Sequence, residues 1–379
     1  MAQQVDFALL KHLNQQAGLR YYAPEVGPSM AYFLNQYLET GDEELIKTLT
    51  KFYTKRVPQD GGIEWMEKWQ KIRKLNILKS DEDKIKVVGT DKPIADELIL
   101  THLSILKGDR KTGIALIDSL DHFKELQFPE RPMIWSGKPI WESGKPWTYF
   151  FPSPAAYFDE LIKYLTENET SIYQEFGKHG KTVANIVRAV NAQNRERTIY
   201  QGFKDYVLPL INQGEKVYSN FGYFHIQQSR INSGRSVAAI LKEEHANSLS
   251  MVSIQGMLID SKVLKEKKWK KAPPVQIKEL TFTGMAYNGY KQSASWDGDS
   301  FWERVKGVRI LKKVAKTPVT LVDLNQEGSP FKVTDHLASF SRGKKKWRLE
   351  EGKSTTDFFQ YVILMQKSKA IRPLEELEK

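Results

Sequence analysis

The sequence contains no cysteine. This absence excludes disulfide bonds, thiolate metal sites and a cysteine nucleophile. No apolar run approaches the roughly 20 residues that a membrane-spanning helix needs, so we predict no transmembrane helix. The first 20 residues also lack the basic start, the continuous apolar stretch and the small-residue cleavage site of a signal peptide. The sequence therefore indicates no export signal, and it leaves the compartment and the oligomeric state unknown.

Positive charge is in excess, with 57 Lys and Arg residues against 46 Asp and Glu residues and a net charge of +11. The excess is concentrated in three late clusters, at 262–271, 304–316 and 341–349. Lysine-rich runs can bind phosphate backbones, but they are more often solvated loops or helix faces. No aromatic RNA-binding motif or zinc-finger spacing accompanies them, so we do not expect nucleic acid as a partner.

Apolar runs typical of strands alternate with helical segments along the chain. They include "LRYYAPEV" near residue 20, "DKIKVVGTDKP" near residue 87, "KVYSNFG" near residue 218 and later runs at 248–258, 318–324 and 358–367. Strands that alternate with helices favour a parallel sheet covered on both faces. We therefore predict an α/β fold with a mostly parallel central sheet flanked by helices.

Residues 94–190 are mostly helical in pattern, so we predict a large helical insertion or cap within an α/β core formed by 1–93 and 191–379. Residues 129–154 interrupt this region with a stretch rich in proline, glycine and aromatic residues, in which "SGKPIW" and "SGKPW" recur. One interpretation is an ordered loop anchored by Trp135, Trp141 and Trp147. The other is an aromatic lid in which these three side chains bind a ligand. We favour the first, because large aromatic residues usually anchor loops.

Three polar residues follow predicted strands directly: Glu25, Asp91 and His225. In open parallel sheets the ligand site lies just beyond the carboxyl ends of the strands. Each residue alone has a simpler explanation, since a carboxylate can cap a helix and a lone histidine can serve in packing. Because all three occupy equivalent topological positions, we predict that they form a site together.

Arg195 is a fourth candidate, on the helix that precedes "KVYSNFG". It shares a helical face with Asn191 and Ile199, so its stem can lean on an apolar side while the guanidinium reaches outward. The alternative is a solvated helix with an Arg-Glu-Arg charge cluster, and the spacing is compatible with both.

Four segments resemble motifs of the erythromycin esterase-like proteins, which are related to the haem-binding ChaN-like and the TraB/TIKI groups. The segments are "AGLRYYAPEVGPSMAYFLNQYLETGD", "VVGTDKP", "NRERTIY" and "GEKVYSNFGYFH". In the same order, they resemble four family motifs: a strand followed by a glutamate, a strand that ends in Gly-x-Asp, a helix that begins with an arginine and an acidic residue, and a strand that ends in Gly-x-x-His. Their order and spacing agree with the family over residues 1 to about 260.

The resemblance implies an α/β sheet with a helical insertion and hydrolysis of an ester or lactone by water. It implies that Glu25, Arg195 and His225 form the polar floor of a cleft, with Asp91 beside it. It implies no cofactor. The size and the aromatic content of the predicted cap indicate a small-molecule substrate that is bulky and partly apolar, because ligand pockets are usually lined by apolar and aromatic side chains.

The sequence departs from the family in one respect. The family's first strand ends in Gly-Glu-x-His or Gly-x-x-His, and no such motif precedes Glu25. We therefore expect either that this strand has been lost from the given sequence or that the protein lacks half of the catalytic pair, and we expect weak or absent ester hydrolysis. His179 in "GKHGKT" is the best substitute, although an ordinary loop is the simpler interpretation.

Two alternative functions follow. The first is a non-catalytic binding protein for haem or another bulky apolar ligand, using His225 and the aromatic loop. The second is a metal-dependent hydrolase as in the TIKI-like branch, for which Glu25 and His225 alone are too few ligands, so we predict no metal site.

Overall fold

The structure is a computed structural model. It describes residues 1–126, 140–141, 155–267, 270–271, 275–277, 280–283, 285–286, 290–296, 298 and 303–376. Of the predicted aromatic loop, Trp135 and Trp147 lie outside the described residues, and Trp141 is described in its backbone alone.

The N-terminal part alternates helices with two short strands. Its elements are α1 (Ala2–Ala17), β1 (Tyr21–Pro24), α2 (Pro28–Thr40), α3 (Glu43–Arg56), α4 (Ile63–Ile77) and β2 (Lys86–Val87). α1 ends at Gly18, whose φ of 65° lies in the left-handed region and whose N–H bonds to the carbonyl of Leu13. Glycine adopts this conformation without strain, so it turns the chain directly into β1.

β1 is the central strand of a three-stranded parallel sheet, in the order β2, β1 and β4 (Val217–Asn220). Neighbouring residues of β1 enter different hydrophobic clusters, because successive side chains of a strand point to opposite faces. Tyr22 packs with α1, α2, α3 and α4. Ala23 packs with α10 (Arg195–Gly202) and α12 (Val237–Glu244). Helices therefore cover both faces of this sheet.

A third cluster is purely helical. It is built by α5 (Asp96–Lys107), α6 (Ala115–Asp118), α7 (Ala155–Glu167), α8 (Glu169–Phe176) and α9 (Gly180–Asn191). Leu100, Leu161, Phe176 and Val183 are fully buried at its centre. This cluster lies within the range that the sequence analysis assigns to a helical insertion. The division into a core and an inserted domain stays a prediction.

The C-terminal part adds a mixed sheet in which β16 (Tyr361–Gln366) lies between β13 (Val319–Asp323) and β5 (Ile254–Ile259). β16 pairs in parallel with β5 and antiparallel with β13. The other strands of the described chain pair antiparallel: β3 (Ile140–Trp141), β6 (Ser261–Glu266), β7 (Lys270–Lys271), β8 (Val275–Ile277), β9 (Leu280–Thr283), β10 (Met285–Ala286), β11 (Tyr290–Trp296), β12 (Glu303–Val305), β14 (Phe340–Arg342) and β15 (Lys345–Lys346).

Three short helices complete the elements: α11 (Leu208–Asn212), α13 (Val308–Val314) and α14 (Thr355–Phe358). The α/β fold class predicted from the sequence is confirmed in this coarse form. Parallel pairing in the described strands is limited to the three-stranded sheet and to β5 with β16, so the structure does not show one large parallel sheet. Across the described residues, no helix combines the length and the apolar character that a membrane span requires.

Candidate functional site

The turns that follow β1 and β2 pack tightly against each other at the carboxyl edge of the parallel sheet. The backbone N–H groups of Thr90 and Asp91 both donate to the carbonyl of Val26, each at 3.0 Å. A Cβ atom placed on Gly89 would lie 2.4 Å from the carbonyl oxygen of Gly27. Only glycine allows this approach. The turn therefore fixes the side chain of Asp91, which is fully buried, next to the end of β1.

Arg195 joins the ends of β1 and β2. Its Nε donates to Oδ1 of Asp91 at 3.0 Å and its Nη2 donates to Oδ2 at 2.6 Å. The same Nη2 also donates to Oε1 of Glu25. Arg195 can reach both carboxylates because it is the first residue of α10, whose N-terminus is capped by the side chain of Asn194. A planar guanidinium matches a carboxylate in this two-bond geometry, and the pairing is charge-assisted.

The two carboxylates keep the guanidinium charged. Burial acts to lower the pKa of Arg195, but the hydrogen bonds and charges of Asp91 and Glu25 outweigh burial and raise this pKa above its ordinary value. The side chain of Arg195 is 36% exposed, so part of it faces the open side of the edge. A permanent positive charge therefore lies between the ends of two strands.

Gly222 connects Glu25 to the loop that follows β4. Its backbone N–H donates to Oε2 of Glu25 at 2.7 Å. A Cβ atom on Gly222 would lie 3.3 Å from that oxygen and 3.6 Å from Cδ2 of His225. Glu25 is thus held at both oxygens, by Arg195 on one side and by the loop that carries His225 on the other.

His225 is held beside α10 and α12. Its Nδ1 lies 2.6 Å from Oε1 of Glu196, although the ring N–H is not aligned for a hydrogen bond. The other oxygen of Glu196 accepts the N–H of Val237 at 2.8 Å, and the carbonyl of His225 accepts the N–H of Ala238 at 3.1 Å. The side chain of His225 is 10% exposed. Its Nε2 makes no hydrogen bond to any described residue, so this nitrogen is available to a ligand.

The structure therefore brings together the four residues that the sequence singles out. Glu25, Asp91 and Arg195 form one ion-pair cluster, and His225 joins it through the loop at Gly222. Sequence reasoning missed Glu196 as the partner of His225. The signal was the acidic residue directly after Arg195 at the start of α10.

Two other predicted candidates lie elsewhere. His179 ends a short 3-10 turn directly before α9, which is one of the helices of the helical cluster. The haem-binding alternative depends on Trp135, Trp141 and Trp147, whose side chains the structure does not describe, and it stays a prediction. Within the described residues, no group of three or more His, Asp and Glu side chains is arranged to hold a metal ion.

Solved structures similar to this protein identify its fold. No protein-family model matches the sequence, and no curated protein is similar to it. A solved succinoglycan biosynthesis protein is similar in structure, with a TM-score of 0.54 and 16% identity over 97% of this chain and 84% of that one. A Bacillus cereus protein has a TM-score of 0.52 and 14% identity over 96% of this chain and 84% of that one.

A mutant of the erythromycin esterase EreC in its open conformation has a TM-score of 0.52 and 11% identity, over 95% of this chain and 85% of the esterase chain. Identities this low show a shared fold and nothing about activity. The chain thus has an erythromycin esterase-like fold, in agreement with the resemblance of its sequence motifs.

Proposed function

We propose that this protein is a hydrolase that uses water to cleave an ester or lactone bond, at the sheet edge formed by Glu25, Arg195 and His225. The observation that carries the proposal is the shared carboxylate of Glu25. One of its oxygens is held by Arg195 and the other by the N–H of Gly222. A carboxylate, a guanidinium and an imidazole are thereby held on one edge, where they can serve as orienting group, oxyanion stabiliser and general base for acyl transfer to water.

His225 is the proposed general base. Imidazole is the side chain that exchanges protons near neutral pH. Nδ1 of His225 faces Glu196, and Nε2 makes no hydrogen bond to a described residue. A water molecule would give its proton to Nε2 as its oxygen bonds to the carbonyl carbon of the substrate. The negative charge of Glu196 would stabilise the imidazolium that forms, so Glu196 is proposed as a positioning residue for His225.

Arg195 is the proposed stabiliser of the oxyanion. When water adds to the carbonyl carbon, the electron pair of the C=O bond moves to the carbonyl oxygen, which becomes negative. Nε and Nη2 of Arg195 are engaged by Asp91 and Glu25, but Nη1 makes no hydrogen bond to a described residue. Nη1 can therefore donate to the new oxyanion. Asp91 positions the guanidinium, and it does so without solvent contact because it is fully buried.

Glu25 has two proposed roles, which are to position Arg195 and to orient the attacking water. Its Oε1 keeps Arg195 in place, and its carboxylate is 25% exposed, so it can also accept a hydrogen bond from the attacking water. The rings of Phe221 and Phe224 lie with their centroids 6.0 and 6.2 Å from the ring centroid of His225. This aromatic surrounding supports a bulky, partly apolar substrate.

A panel of aryl esters, alkyl esters and lactones tests the proposal. We expect weak turnover by the wild type, because no Gly-x-x-His motif precedes Glu25, and a further loss of about 100-fold in Glu25→Gln, because the amide forms no ion pair with Arg195. Glu39→Gln serves as the control, since Glu39 is an exposed glutamate on α2. Absence of turnover over the whole panel, or equal rates for Glu25→Gln and the control, would contradict the proposed function.

A further inference from the structure

α1 runs antiparallel to the strands of the parallel sheet, so its N-terminus points to the carboxyl edge. At its C-terminal end the carbonyl of Ala17 accepts from Nζ of Lys216, at the start of β4. Further toward its N-terminus, Oδ1 of Asp6 accepts a 2.8 Å hydrogen bond from the hydroxyl of Tyr218, within β4. The N-terminus of α1 therefore lies toward the carboxyl edge, where β4 ends.

Asp60 lies at this edge. Gln3 is on the same face of α1 as Asp6, one turn nearer the N-terminus, and its Nε2 donates to the carbonyl of Asp60 at 3.0 Å. The turn that contains Asp60 also precedes α4. Near the C-terminal end of α4, the side chain of Asn76 is hydrogen-bonded to the backbone of Ile85, the residue directly before β2. Because α4 also runs antiparallel to the sheet, its start lies at the carboxyl edge as well. Two independent connections thus place Asp60 at the level of the proposed site.

The backbone of this turn is tightly packed. The N–H of Asp60 bonds to the carbonyl of Val57 at 3.0 Å. A Cβ on Gly61 would lie 2.4 Å from Cα of Thr54. Gly62 has a φ of 131°, and a Cβ there would lie 2.3 Å from a carbonyl oxygen of the C-terminal segment. The two glycines that follow Asp60 therefore lie where neighbouring backbone leaves no room for a side chain.

Among the described side chains, none is a cation paired with the carboxyl group of Asp60 alone. The positive charge of Lys68 on α4 acts to lower the pKa of Asp60, but Nζ of Lys68 donates its 2.7 Å hydrogen bond to Oδ2 of Asp6. Glu25, directly after β1, and Asp6 of α1 act with their negative charges to raise the pKa of Asp60. Burial, and after it the charge of Glu25, raises the pKa of Asp60 to about 6. Asp60 therefore exchanges its proton in a range where ordinary aspartates are already ionised.

A described cation of the C-terminal segment near this turn is paired with carboxylates of α4. The guanidinium of Arg372, in the C-terminal segment, forms ion pairs with Glu64 and Glu67 of α4 at 2.7 Å each. It is consequently not available to neutralise Asp60. Among the described side chains, none forms a hydrogen bond or an ion pair with the carboxyl group of Asp60.

We infer that Asp60 is a second proton-transfer group of the site, on the opposite side of Glu25 from His225. Tyr22 and Asp60 belong to the α1 and α4 face of the sheet, whereas Ala23 and His225 belong to the α10 and α12 face. This inference rests on the proposed function and adds the group that donates a proton to the leaving oxygen. When the bond between the acyl carbon and the leaving oxygen breaks, the oxygen keeps the electron pair and takes the proton of Asp60. The imidazolium of His225 then releases its proton to solvent and solvent returns one proton to the Asp60 carboxylate, so that both groups regain their starting states.

The first arm of the test is the pH dependence of kcat for the wild type and for Asp60→Asn on one activated ester. We expect the wild-type rate to fall above pH 6, where Asp60 loses its proton, and the Asp60→Asn rate to be lower by about 10- to 100-fold without that fall. Gln59→Ala is the matched control, because Gln59 is exposed in the same turn. Identical pH profiles for Asp60→Asn and the wild type would overturn the inference.

The second arm does not depend on activity. The pKa of Asp60 is raised on folding, so the stability that its proton supplies is present at low pH and is lost as the pH rises through about 6. Asparagine stays neutral, so Asp60→Asn should raise Tm relative to the wild type at pH 7.5, and by much less at pH 5. A Tm difference that is equal at both pH values would overturn the inference. A wild type that hydrolyses no ester but shows this pH-dependent difference would reject the proposed function and leave Asp60 as a proton carrier.

Discussion

The backbone N–H of Gly222 donates a 2.7 Å hydrogen bond to Oε2 of Glu25. This bond ties the loop after β4 to the end of β1, and the loop carries His225 three residues later. This peptide group is thus one of the contacts that set the geometry of the histidine relative to the carboxylate. A change at Gly222 should consequently affect the chemistry more than the fold.

Gly222→Ala tests this relationship. The φ of Gly222 lies outside the left-handed region, so alanine fits the backbone, but its Cβ would lie 3.3 Å from Oε2 of Glu25. We expect kcat/KM for ester hydrolysis to fall by about 10-fold, since small displacements of reacting groups are costly. Gly256→Ala is the control, with a Cβ 3.5 Å from Cε of Met365 in ordinary contact. Equal losses in both variants would show that Gly222 does not position Glu25.

Arg195→Lys removes the two-bond pairing while retaining the charge. An ammonium group cannot hold both oxygens of Asp91 and reach Glu25 at once. Because Asp91 is fully buried, we expect the free energy of unfolding to drop by about 2 kcal/mol. Chemical denaturation measures this loss. Arg197→Lys on the same helix, whose side chain is 52% exposed, should change stability by less than about 0.5 kcal/mol.

Lys68→Met tests the buried ion pair beneath the site. The side chains of Lys68 and Asp6 are 4% and 5% exposed, and Nζ lies 2.7 Å from Oδ2. Removing the lysine leaves a buried carboxylate without its cation, which should lower the free energy of unfolding by about 3 kcal/mol. Lys47→Met, at a surface pair with Glu44, should cost less than about 1 kcal/mol. Equal effects of the two substitutions in urea would contradict this account.

The same pair has a pH dependence of the opposite sign to that of Asp60. Burial acts to raise the pKa of Asp6, but the charge and hydrogen bond of Lys68 outweigh it and the pKa is lowered. A lowered pKa in the folded state supplies stability above the ordinary pKa of aspartate, which is lost as the pH falls through the folded value. The stability difference between the wild type and Lys68→Met should therefore shrink in strong acid, as measured by urea unfolding at pH 7 and pH 2.

The four polar residues of the site could be predicted because a topological rule applies to them. Glu25, Asp91 and His225 each follow a strand of one parallel sheet, and parallel strands end at one edge. The rule needs only the order of elements along the chain, which periodicity supplies. For Arg195 the helical spacing was compatible with a site residue and with a solvated helix, and the resemblance of "NRERTIY" to a family motif favoured the first.

Glu196 and Asp60 could not be predicted in the same way. Glu196 meets His225 only because α12 packs against α10, and this contact depends on interior side chains far apart in the sequence. Asp60 stands in "VPQDGG", which has the composition of any turn. The antiparallel packing of α1 and α4 brings it to the site. The pairing of β13 with β16 was hidden for a related reason, because strand positions do not fix direction or register.

The most direct test of the proposed site is kcat/KM for one activated ester, measured at neutral pH for the wild type and for His225→Asn. His12→Asn is the matched control, since His12 is exposed on α1. If His225 is the general base, His225→Asn loses about 100- to 10,000-fold while His12→Asn keeps the wild-type value and both variants unfold at the wild-type temperature. Turnover by His225→Asn that equals that of His12→Asn would contradict the account.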